Sequence, residues 1–450
     1  MTERLVVIGG DAAGMTAASV AKRRAGAELD VVVLERSGWT SYSACGIPYW
    51  VGTKVAGPDA LVARTPQQHR DNGIDVRLGA EAVGIDLTTR TVDVREGGRS
   101  STVAFDSLLV ATGAVPIRPD LPGIDADGIH GVQTLDDGRR LIDDLDGHDD
   151  AQVVIVGAGY IGIEMAEACL RRKLSTTLID RSPEPLNGID PELGRTVRET
   201  LSELGVAVAV PSAVESFGVD KHGRVESVTC ADGTYPADLV ILGLGVRAAS
   251  DLARAAGLDI GAAGGIRTDP SMAVPGHERV WAAGDCVETW DRITGDWVYV
   301  PLGTHANKQG RVVGLNVTGA DERFPGIVRT AITKVCELEV ARTGLTERAA
   351  RRAGFDLMTA QIDSTTRAGY FPGAAPMTVR MHAERRTGRL LGAQIVGHDG
   401  AGMRINACAL ALWNEMTAAD LMTSDLAYAP PFTSVWDPVQ VAARALVRQV

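Results

Sequence analysis

Two stretches of the chain share one order of apolar and small residues. Each begins with a continuous apolar run, passes through a glycine turn and ends in an alanine-rich segment, at residues 5–21 and 153–170. Unbroken apolar runs are typical of buried parallel strands, and the segments that follow have the spacing of a helix. After each repeat comes a β-branched run that ends in an acidic residue, Glu35 or Asp180. The pattern therefore predicts two βαβ units of the size that binds a nucleotide.

The pattern changes after about Pro325. Short strand-like runs at residues 377–381 and 390–396 precede a helix-like stretch at residues 404–415. Strands grouped ahead of a helix are typical of an α+β domain. We therefore expect an α/β protein with two Rossmann-like domains and a C-terminal α+β domain.

Length and charge narrow the classes of function. At about 150 residues per domain, the chain of 450 residues should contain about three domains. With 45 basic and 57 acidic residues the net charge is −12, the wrong sign for binding a nucleic-acid backbone. No apolar run approaches the ~20 residues that span a bilayer, and no basic and apolar leader precedes Leu5. We expect a cytoplasmic protein with neither a nucleic-acid nor a membrane partner.

The six cysteines predict neither a metal site nor a disulfide scaffold. They lie at positions 45, 169, 230, 286, 336 and 408, and no two have the C-x-x-C spacing. Cys169 and Cys408 lie in Ala/Leu-rich stretches, where a cysteine usually fills a helix core. We expect most of the cysteines to be reduced core residues, and no bound metal.

The second glycine loop carries the stronger cofactor signal. Gly157, Gly159 and Gly162 follow the apolar run directly and precede the helix. The first permits a tight turn, the second lets backbone N–H groups approach a pyrophosphate, and the third lets helix and strand pack closely. Asp180 lies 180 − 157 = 23 residues after Gly157, close to the spacing at which an acid reaches a ribose. The loop predicts dinucleotide binding, with a merely structural turn as the alternative.

The first loop, Gly9-Gly-Asp-Ala-Ala-Gly14, departs from this pattern. Asp11 stands where the middle glycine is expected, and its carboxylate should repel a pyrophosphate unless the side chain turns away. Two strand ends support the loop: Leu109 to Gly113 runs into a small-residue turn, and Val280 to Asp285 ends in Gly-Asp. Taken singly, both could be ordinary strand ends.

These four pieces in this order, with Cys45 between the first and the second, resemble the flavin-dependent pyridine nucleotide-disulfide oxidoreductases over essentially the whole chain. The resemblance implies FAD on the first loop, with Glu35 on its adenosine ribose and Asp285 on its ribityl chain. It implies a nicotinamide cofactor on the second loop, with Glu164 near the nicotinamide; the alternative for Glu164 is a solvated helix charge. The predicted domains are an FAD-binding domain (1–118 and 247–322), an NAD(P)-binding domain (119–246) and a dimerisation domain (323–450).

The resemblance also implies the remaining cofactor contacts. The segment from Thr304 to Gly310 resembles the helix whose N-terminus faces the flavin pyrimidine ring. His305 there is either a base or, as we favour, only a hydrogen-bonded side chain. The further cofactor-binding residues are Gly9, Gly14, Arg36, Ser41, Val83, Ala111, Thr112, Gly113, Tyr160, Ile161, Gly245, Gly284, Thr304 and Ala306.

The choice of nicotinamide cofactor depends on Asp180. Its carboxylate can accept hydrogen bonds from a free ribose 2′-hydroxyl and would repel a 2′-phosphate, which favours NADH. Arg181 directly follows and could hold a 2′-phosphate, so NADPH stays possible.

Cys45 has the sequence context of a reactive thiol. It precedes Gly46 and Pro48, and proline suits the first turn of a helix. A helix N-terminus stabilises a thiolate, so we expect a lowered pKa for Cys45.

Comparison with the family narrows the chemistry of Cys45. Two-cysteine disulfide reductases carry a second cysteine five positions later, where this chain has Trp50. They also end in a His-Glu pair that is missing here. The chain therefore resembles the single-cysteine branch, which comprises coenzyme A-disulfide reductases, NADH oxidases and NADH peroxidases. Cys45 would cycle through a mixed disulfide with a small thiol or through a sulfenic acid.

Two comparisons favour the disulfide reductases. Oxidases and peroxidases typically carry a histidine in the first glycine loop, where this chain has Ala12. Coenzyme A-disulfide reductases bring tyrosines from the partner subunit, and Tyr370 and Tyr428 match them. A phenol can donate a proton to a departing thiolate. The resemblance thus implies a homodimer with a shared active site; the alternative for both tyrosines is packing at a dimer interface.

The substrate assignment is less complete. Arg23 lies at the end of the first Rossmann helix, where relatives bind the nucleotide end of coenzyme A, although a cation there also complements the helix terminus. Trp436 replaces a lysine that many relatives carry. We expect a reductase of coenzyme A disulfide or a related small disulfide. The alternatives are an NADH oxidase or peroxidase with a Cys45 sulfenate, and a redox-sensing flavoprotein. The expected substrate-binding residues are Thr16, Arg23, Ser41, Asn307 and Trp436.

Overall fold

A computed structural model describes residues 2–148 and 150–449. Up to Pro116 the chain forms two long parallel strands with an alanine-rich helix between them, two short helices and a set of further strands. Their bounds are β1 (Glu3–Ile8), α1 (Ala12–Ala25), β2 (Leu29–Glu35), α2 (Ile47–Val51), α3 (Pro66–Asp71), β3 (Ile74–Leu78), β4 (Ala80–Asp86), β5 (Thr91–Glu96), β6 (Arg99–Ala104), β7 (Ser107–Val110) and β8 (Ala114–Pro116).

A second strand and helix alternation follows. It contains β9 (Ile129–Gly131), α4 (Leu135–Asp146), β10 (Gln152–Val156), α5 (Tyr160–Arg171), β11 (Ser175–Ile179), α6 (Pro191–Glu203), β12 (Ala207–Ala209), β13 (Val214–Val219), β14 (Val225–Cys230), β15 (Gly233–Pro236) and β16 (Leu239–Leu242). The chain then continues through β17 (Val246–Ala248), α7 (Asp251–Ala255), β18 (Val280–Ala282), β19 (Thr289–Trp290), β20 (Trp297–Val298) and α8 (Gly303–Asn316).

The C-terminal part is built from longer antiparallel strands and short helices. It contains β21 (Ala331–Val335), β22 (Leu338–Gly344), α9 (Glu347–Arg352), β23 (Leu357–Thr365), β24 (Pro376–Glu384), β25 (Leu390–Gly397), α10 (Ile405–Trp413), α11 (Ala418–Thr423) and α12 (Pro438–Val447).

Two parallel sheets carry the two glycine loops. The first has the order β18-β7-β1-β2-β3, and the second has the order β12-β11-β10-β16-β9. Strand β18 joins the first sheet although it lies more than 160 positions after β7 in the sequence. The two strands are parallel, and Val280 pairs with Leu108. The third sheet, β21-β22-β25-β24-β23, is antiparallel and belongs to the C-terminal part. The α/β class, the two Rossmann-like units and the C-terminal α+β unit are confirmed.

The small sheets were not predicted. Two three-stranded antiparallel sheets, β4-β5-β6 and β13-β14-β15, extend from the parallel sheets, and two-stranded pairs form between β8 and β17 and between β19 and β20. Their strands alternate exposed and buried positions over only a few residues, so the sequence pattern is too short to separate them from loops.

Helices α1 and α8 pack closely through small residues. A Cβ atom at Gly310 would lie 2.3 Å from the backbone oxygen of Ala13, and one at Gly314 would lie 2.6 Å from that of Ala17. The alanine-rich face of α1 is buried against this surface. The start of α1, beside the first glycine loop, therefore packs against the middle of α8. No helix of the described residues is long and apolar enough to cross a membrane.

A buried polar cluster joins the start of α6 to the third sheet. Asp190, which is 2% exposed, accepts hydrogen bonds at one oxygen from Arg380 (2.9 Å) and Gln394 (2.9 Å), and His382 lies 2.8 Å from the same oxygen. Burial alone would raise the pKa of Asp190, but the bonds from His382, Gln394 and Arg380 lower it to about 2. The carboxylate is thus held in its charged form between two parts of the chain.

Replacing Asp190 with alanine should destabilise the protein by about 3 kcal/mol, because the buried polar groups of Arg380, His382 and Gln394 lose the oxygen that they share. Since the folded-state pKa is lowered, this contribution is complete above about pH 4 and is lost as the pH falls toward 2. Thermal unfolding of wild type and variant at pH 7 and pH 3 measures both effects. Asp251→Ala is the control, because Asp251 forms an exposed ion pair with Arg247 and should cost under about 1 kcal/mol. Equal costs for the two variants would contradict the assignment.

Candidate active site

The two glycine loops have the same backbone geometry. Gly9 has φ +106° and Gly157 has φ +105°, a region that favours glycine. A Cβ atom at Gly9 would lie 2.1 Å from the oxygen of Ala111, and one at Gly157 would lie 2.4 Å from that of Gly243. Each loop therefore crosses directly against the end of the neighbouring parallel strand, and no other residue fits there.

The third glycine of each loop is equally constrained, while the middle position differs. A Cβ atom at Gly14 would lie 2.0 Å from the oxygen of Gly9, and one at Gly162 would lie 1.8 Å from that of Gly157. By contrast, a Cβ atom at Gly159 would meet only the oxygen of Gly243, at 4.0 Å. The loop leaves space at the start of α5, where free N–H groups can bind a pyrophosphate.

Both acidic residues at the ends of the second strands are anchored to their loops. Glu35 accepts hydrogen bonds from the backbone N–H groups of Gly10 and Ser37, both at 2.8 Å. Asp180 accepts hydrogen bonds from those of Ala158 (2.7 Å) and Ser182 (2.6 Å). Each carboxylate oxygen keeps a second lone pair for a ribose hydroxyl. These positions fit the adenosine riboses of two dinucleotides.

Asp11 turns away from the pyrophosphate position of the first loop. Its Oδ1 atom accepts a hydrogen bond of 3.2 Å from the backbone N–H of Tyr42, in the segment that leads to Cys45. Burial raises the pKa of Asp11 to about 6, and the charges of Glu35 and Asp285 add to the increase. The unusual loop residue is therefore compatible with FAD, because its carboxyl group supports the cysteine segment instead.

The region around Asp285 fits a hydroxyl-rich ligand. Burial raises the pKa of Asp285 to about 6. Burial and the charge of Asp285 raise the pKa of Tyr299, whose hydroxyl group is buried and has no hydrogen-bond partner in the described part of the chain. A Cβ atom at Gly284 would lie 2.9 Å from that of Ala13 and 3.7 Å from that of Ala306. The first loop, Gly284 and the start of α8 thus converge, as an FAD site on this sheet requires.

His305 is hydrogen-bonded within the protein. Its Nδ1 atom lies 3.2 Å from the backbone oxygen of Val300, and burial lowers its pKa. This supports the structural alternative over a role as base. The other predicted FAD contacts are more scattered: Thr112 donates to the oxygen of Ala249 (2.6 Å), Val83 is an exposed residue of β4, and Arg36 lines a cavity of about 370 Å³.

Cys45 lies in a single turn of 3₁₀ helix, Ala44–Gly46, directly before α2, with Pro48 in the first turn of that helix. Its side chain is exposed. The expected lowering of its pKa is wrong. Partial desolvation raises the pKa of the Cys45 thiol, and the carboxylates of Glu164 and Asp285 raise it further. Helix α2 has only five residues, which limits the opposing effect of its dipole.

One face of α5 contacts the β21–β22 hairpin of the C-terminal part. Tyr160, Glu164 and Glu167 are spaced i, i+4 and i+7, which places them on the same helix face. Thr333 donates to Glu164 (2.9 Å), the backbone N–H of Cys336 donates to Glu167 (2.8 Å), and Arg342 donates to the hydroxyl of Tyr160 (3.1 Å). Glu167 also pairs with Lys54. We did not predict these contacts, because no motif marks the hairpin.

The carboxyl group of Glu164 has a raised pKa. Burial raises its pKa to about 7, and the nearby charge of Glu167 also raises it, while the hydrogen bond from Thr333 lowers it. A carboxyl group with a pKa near 7 can change its charge in the working range of most enzymes.

Replacing Thr333 with valine should raise the pKa of Glu164, because it removes the donor that favours the charged form. Glu164 is then neutral at pH 7.5 and no longer raises the pKa of Cys45. Alkylation of Cys45 by iodoacetamide at pH 7.5 should become at least about threefold faster. This increase corresponds to a pKa of the Cys45 thiol that is lower by about 0.5, because the thiolate fraction changes about tenfold for each pKa unit. Glu164→Gln should show the same direction, and Glu199→Gln on the exposed face of α6 should show no change. An unchanged alkylation rate in Glu164→Gln would contradict the coupling.

Three predicted substrate residues lie on helices α1 and α8, while Trp436 and the two predicted catalytic tyrosines are exposed on the C-terminal part. Thr16 donates a hydrogen bond of 2.8 Å to Asn307, so α1 and α8 meet there, and Arg23 lies two turns further along α1. Tyr370 and Tyr428 are 78% and 45% exposed on the C-terminal part. Partial desolvation and the adjacent Tyr370 hydroxyl raise the pKa of Tyr428. Trp436 is 46% exposed and lies beside Arg444.

Two family models match consecutive parts of the chain. The model described as pyridine nucleotide-disulphide oxidoreductase matches residues 3–310, and the model of the dimerisation domain of that family matches residues 330–439. The first alone covers more than half of the chain.

Individual relatives cover the whole chain. A Pyrococcus horikoshii protein named NAD(P)H coenzyme A polysulfide/persulfide reductase is 39% identical over 448 residues, with 99% of both chains covered. A Methanocaldococcus jannaschii protein named NADH oxidase is 32% identical over 451 residues, also with 99% of both covered. The solved structure of a NAD-dependent persulfide reductase from A. fulgidus has a TM-score of 0.95 at 36% identity, covering 99% of this chain and 83% of that chain.

These matches confirm the family predicted from the glycine loops, and with it an oxidoreductase that uses FAD and a pyridine nucleotide. The chain belongs to the pyridine nucleotide-disulphide oxidoreductase family.

Proposed function

We propose that the protein is an NAD(P)H-dependent reductase of a small disulfide or persulfide linked to coenzyme A, with Cys45 as the sulfur that reacts with the substrate. When bound, FAD supplies the transfer of two electrons from NAD(P)H to this sulfur. The overall balance is NAD(P)H, one proton and R–S–S–R′ giving NAD(P)⁺ and two thiols.

The exposure of Cys45 carries this proposal. Among the described residues Cys45 is the one exposed cysteine, whereas Cys169, Cys230, Cys286 and Cys408 are buried and Cys336 is intermediate. Trp50 occupies the position of a second reactive cysteine. A thiolate at Cys45 can therefore exchange only with a sulfur that comes from outside, through a mixed disulfide.

The substrate class rests on relatives and on one surface. The Pyrococcus horikoshii relative is named for coenzyme A polysulfide and persulfide, and the A. fulgidus structure for persulfide. The surface formed by Thr16, Asn307 and Arg23 offers two polar groups and an exposed guanidinium, which suits the phosphates of coenzyme A. Trp436, which carries no charge, would contact an uncharged part of the substrate.

The dimerisation-domain match supports a homodimer. We propose that Tyr370 and Tyr428 act in the active site of the partner subunit, where their hydroxyl groups could donate a proton to the departing thiolate. Their exposure on a single chain supports this role. For the nicotinamide cofactor we propose NADH as the better substrate, because both oxygens of Asp180 are already fixed in place for a ribose diol; the exposed Arg181 beside it keeps NADPH possible.

A second candidate function is the reduction of O₂ or peroxide through a Cys45 sulfenate. The Methanocaldococcus jannaschii relative, which is named NADH oxidase, favours it. The loop position at which we expect the helper histidine of such enzymes is Ala12, which argues against it.

Steady-state assays on the holoenzyme separate the two functions. We expect anaerobic NADH oxidation that depends on coenzyme A disulfide or persulfide, and only slow O₂ uptake with NADH alone. Intact mass spectrometry of the protein as isolated should show an adduct on Cys45 with the mass of a thiol. Oxygen uptake that is stoichiometric with NADH and unaffected by disulfide would overturn the proposal, as would an adduct of one or two oxygens.

A further inference from the structure

A buried histidine contacts the segment that leads to Cys45. His69 lies on α3, which begins with a capping box formed by Thr65 and Gln68. Its side chain is 1% exposed, and its Nε2 atom lies 2.9 Å from the Oγ atom of Ser41. Its Nδ1 atom is buried and has no hydrogen-bond partner among residues 2–148 and 150–449. The imidazole ring thus has one polar contact, with Ser41.

Ser41 is fixed on both sides of its backbone. Its N–H donates to the oxygen of Gly10 (3.3 Å), and its own oxygen accepts from the N–H of Ala63 (2.8 Å). It also has φ +50°, which is rare for serine. The next residue, Tyr42, is bonded to Asp11, a group whose charge also acts on Cys45. These backbone bonds fix Ser41 beside the first glycine loop, four residues ahead of Cys45. Its side chain is half-exposed there.

Only one of the two ring nitrogens of His69 can carry the proton and donate it to an acceptor in the described part of the chain. Burial, with a smaller effect of Arg64, lowers the pKa of His69 to about 4, so the ring is neutral at pH 7 and carries one N–H. A proton on Nδ1 would be a buried donor without an acceptor, which proteins avoid more strongly than an unused acceptor. A proton on Nε2 is donated to Ser41. The Ser41 oxygen then acts as acceptor, and its own hydrogen is free for another partner.

We propose that His69 is a positioning residue for the reaction of Cys45: its Nε2–H fixes the Ser41 oxygen, so that the Ser41 hydroxyl donates to the sulfur that leaves the substrate. The proposal rests on the disulfide or persulfide reductase function proposed above, and extends it to His69. The Cys45 thiolate forms a bond to one substrate sulfur, the S–S bond breaks, and the other sulfur leaves with the electron pair. The Ser41 hydroxyl keeps its proton and stabilises this anion by a hydrogen bond.

The test compares three histidine variants of the holoenzyme. His69→Phe fills the space without a donor, His69→Gln restores an N–H donor, and His222→Phe in an exposed turn is the matched control. We expect kcat/KM for coenzyme A disulfide, measured relative to NADH-dependent ferricyanide reduction, to fall about tenfold in His69→Phe, since a charge-assisted hydrogen bond is of that order. His69→Gln should recover most of the loss. In a Ser41→Ala background, His69→Phe should add little.

Two outcomes overturn the inference. One is an unchanged ratio of disulfide to ferricyanide turnover in His69→Phe, and the other is the same loss in the presence and absence of the Ser41 hydroxyl. The tautomer is a readout that needs no substrate. In ¹⁵N-histidine spectra at pH 7, the signal that disappears in His69→Gln should be that of a neutral ring protonated at Nε2, and protonation at Nδ1 overturns the inference. A wild-type enzyme without disulfide turnover would instead refute the proposed function, and the spectra would still decide which nitrogen of His69 carries the proton.

Discussion

Cys45→Ser should lose turnover with coenzyme A disulfide by at least about a thousandfold, the order expected for loss of a nucleophile. The thiol of Cys45 is exposed, and Trp50 occupies the position at which two-cysteine reductases carry a second reactive cysteine. A serine hydroxyl cannot form the mixed disulfide. The substitution leaves the first glycine loop, which we predict to bind FAD, unchanged, so the variant should keep bound FAD and reduce ferricyanide with NADH. Steady-state assays and the flavin absorbance of the purified variant measure these three quantities.

The matched control is Cys336→Ser. Cys336 is of intermediate exposure. Its backbone N–H donates a hydrogen bond to Glu167, and a serine at this position retains that donor. Its turnover should stay within about twofold of wild type. Titration of the reduced wild-type enzyme with a disulfide reagent under native conditions should detect one rapidly reacting thiol per FAD, which Cys45→Ser lacks. If Cys45→Ser kept most of the disulfide turnover, the assigned reaction would be wrong.

The second large effect concerns the second glycine loop, which we predict to bind NAD(P)H. Gly162→Ala should abolish reduction of the bound flavin by NADH and destabilise the protein by about 3 kcal/mol. The new Cβ atom would lie 1.8 Å from the backbone oxygen of Gly157, and neither backbone can move without opening the packing of α5 on β10. FAD should remain bound, because its predicted site lies on the other parallel sheet. Rapid mixing with NADH and thermal unfolding measure the two effects.

Gly159→Ala separates binding from folding. Its Cβ atom would meet only the oxygen of Gly243, at 4.0 Å, so the protein should fold with wild-type stability. The methyl group would occupy the space left for the pyrophosphate, and the Kd for NADH should rise at least about tenfold. Gly131→Ala, on the edge strand β9 with nothing within 4 Å, is the control for a neutral change. Wild-type NADH affinity in Gly159→Ala would show that the dinucleotide binds elsewhere.

The local signals in the sequence were sufficient for the two loops. Gly157 and Gly162 directly follow a buried strand and precede a helix, and the strand, turn and helix form a continuous stretch of chain whose geometry is set by neighbouring residues. The same holds for Glu35 and Asp180, which the structure anchors to their loops. Such features can be predicted because the cause and the effect lie within about 25 residues.

The remaining features of the site depend on contacts between distant residues. Thr333 and Glu164 are 169 positions apart, and Ser41 and His69 are 28 apart, and neither pair has a local pattern. The pKa of Cys45 was predicted in the wrong direction for the same reason. Pro48 predicts the helix that follows Cys45. No local pattern predicts the partial burial of the thiol or the nearby charge of Glu164, which raise its pKa.

The docking of the β21–β22 hairpin on α5 limits how this protein can be recombined. Three side chains of α5 depend on a segment that begins more than 150 positions later, although both nucleotide loops are complete without it. A chimera that takes its C-terminal third from a homologue would keep both loops but inherit a foreign neighbour for Glu164. Exchanges of this part should therefore retain residues 331–344. Otherwise the pKa of Glu164, and through it that of Cys45, will change in the hybrid.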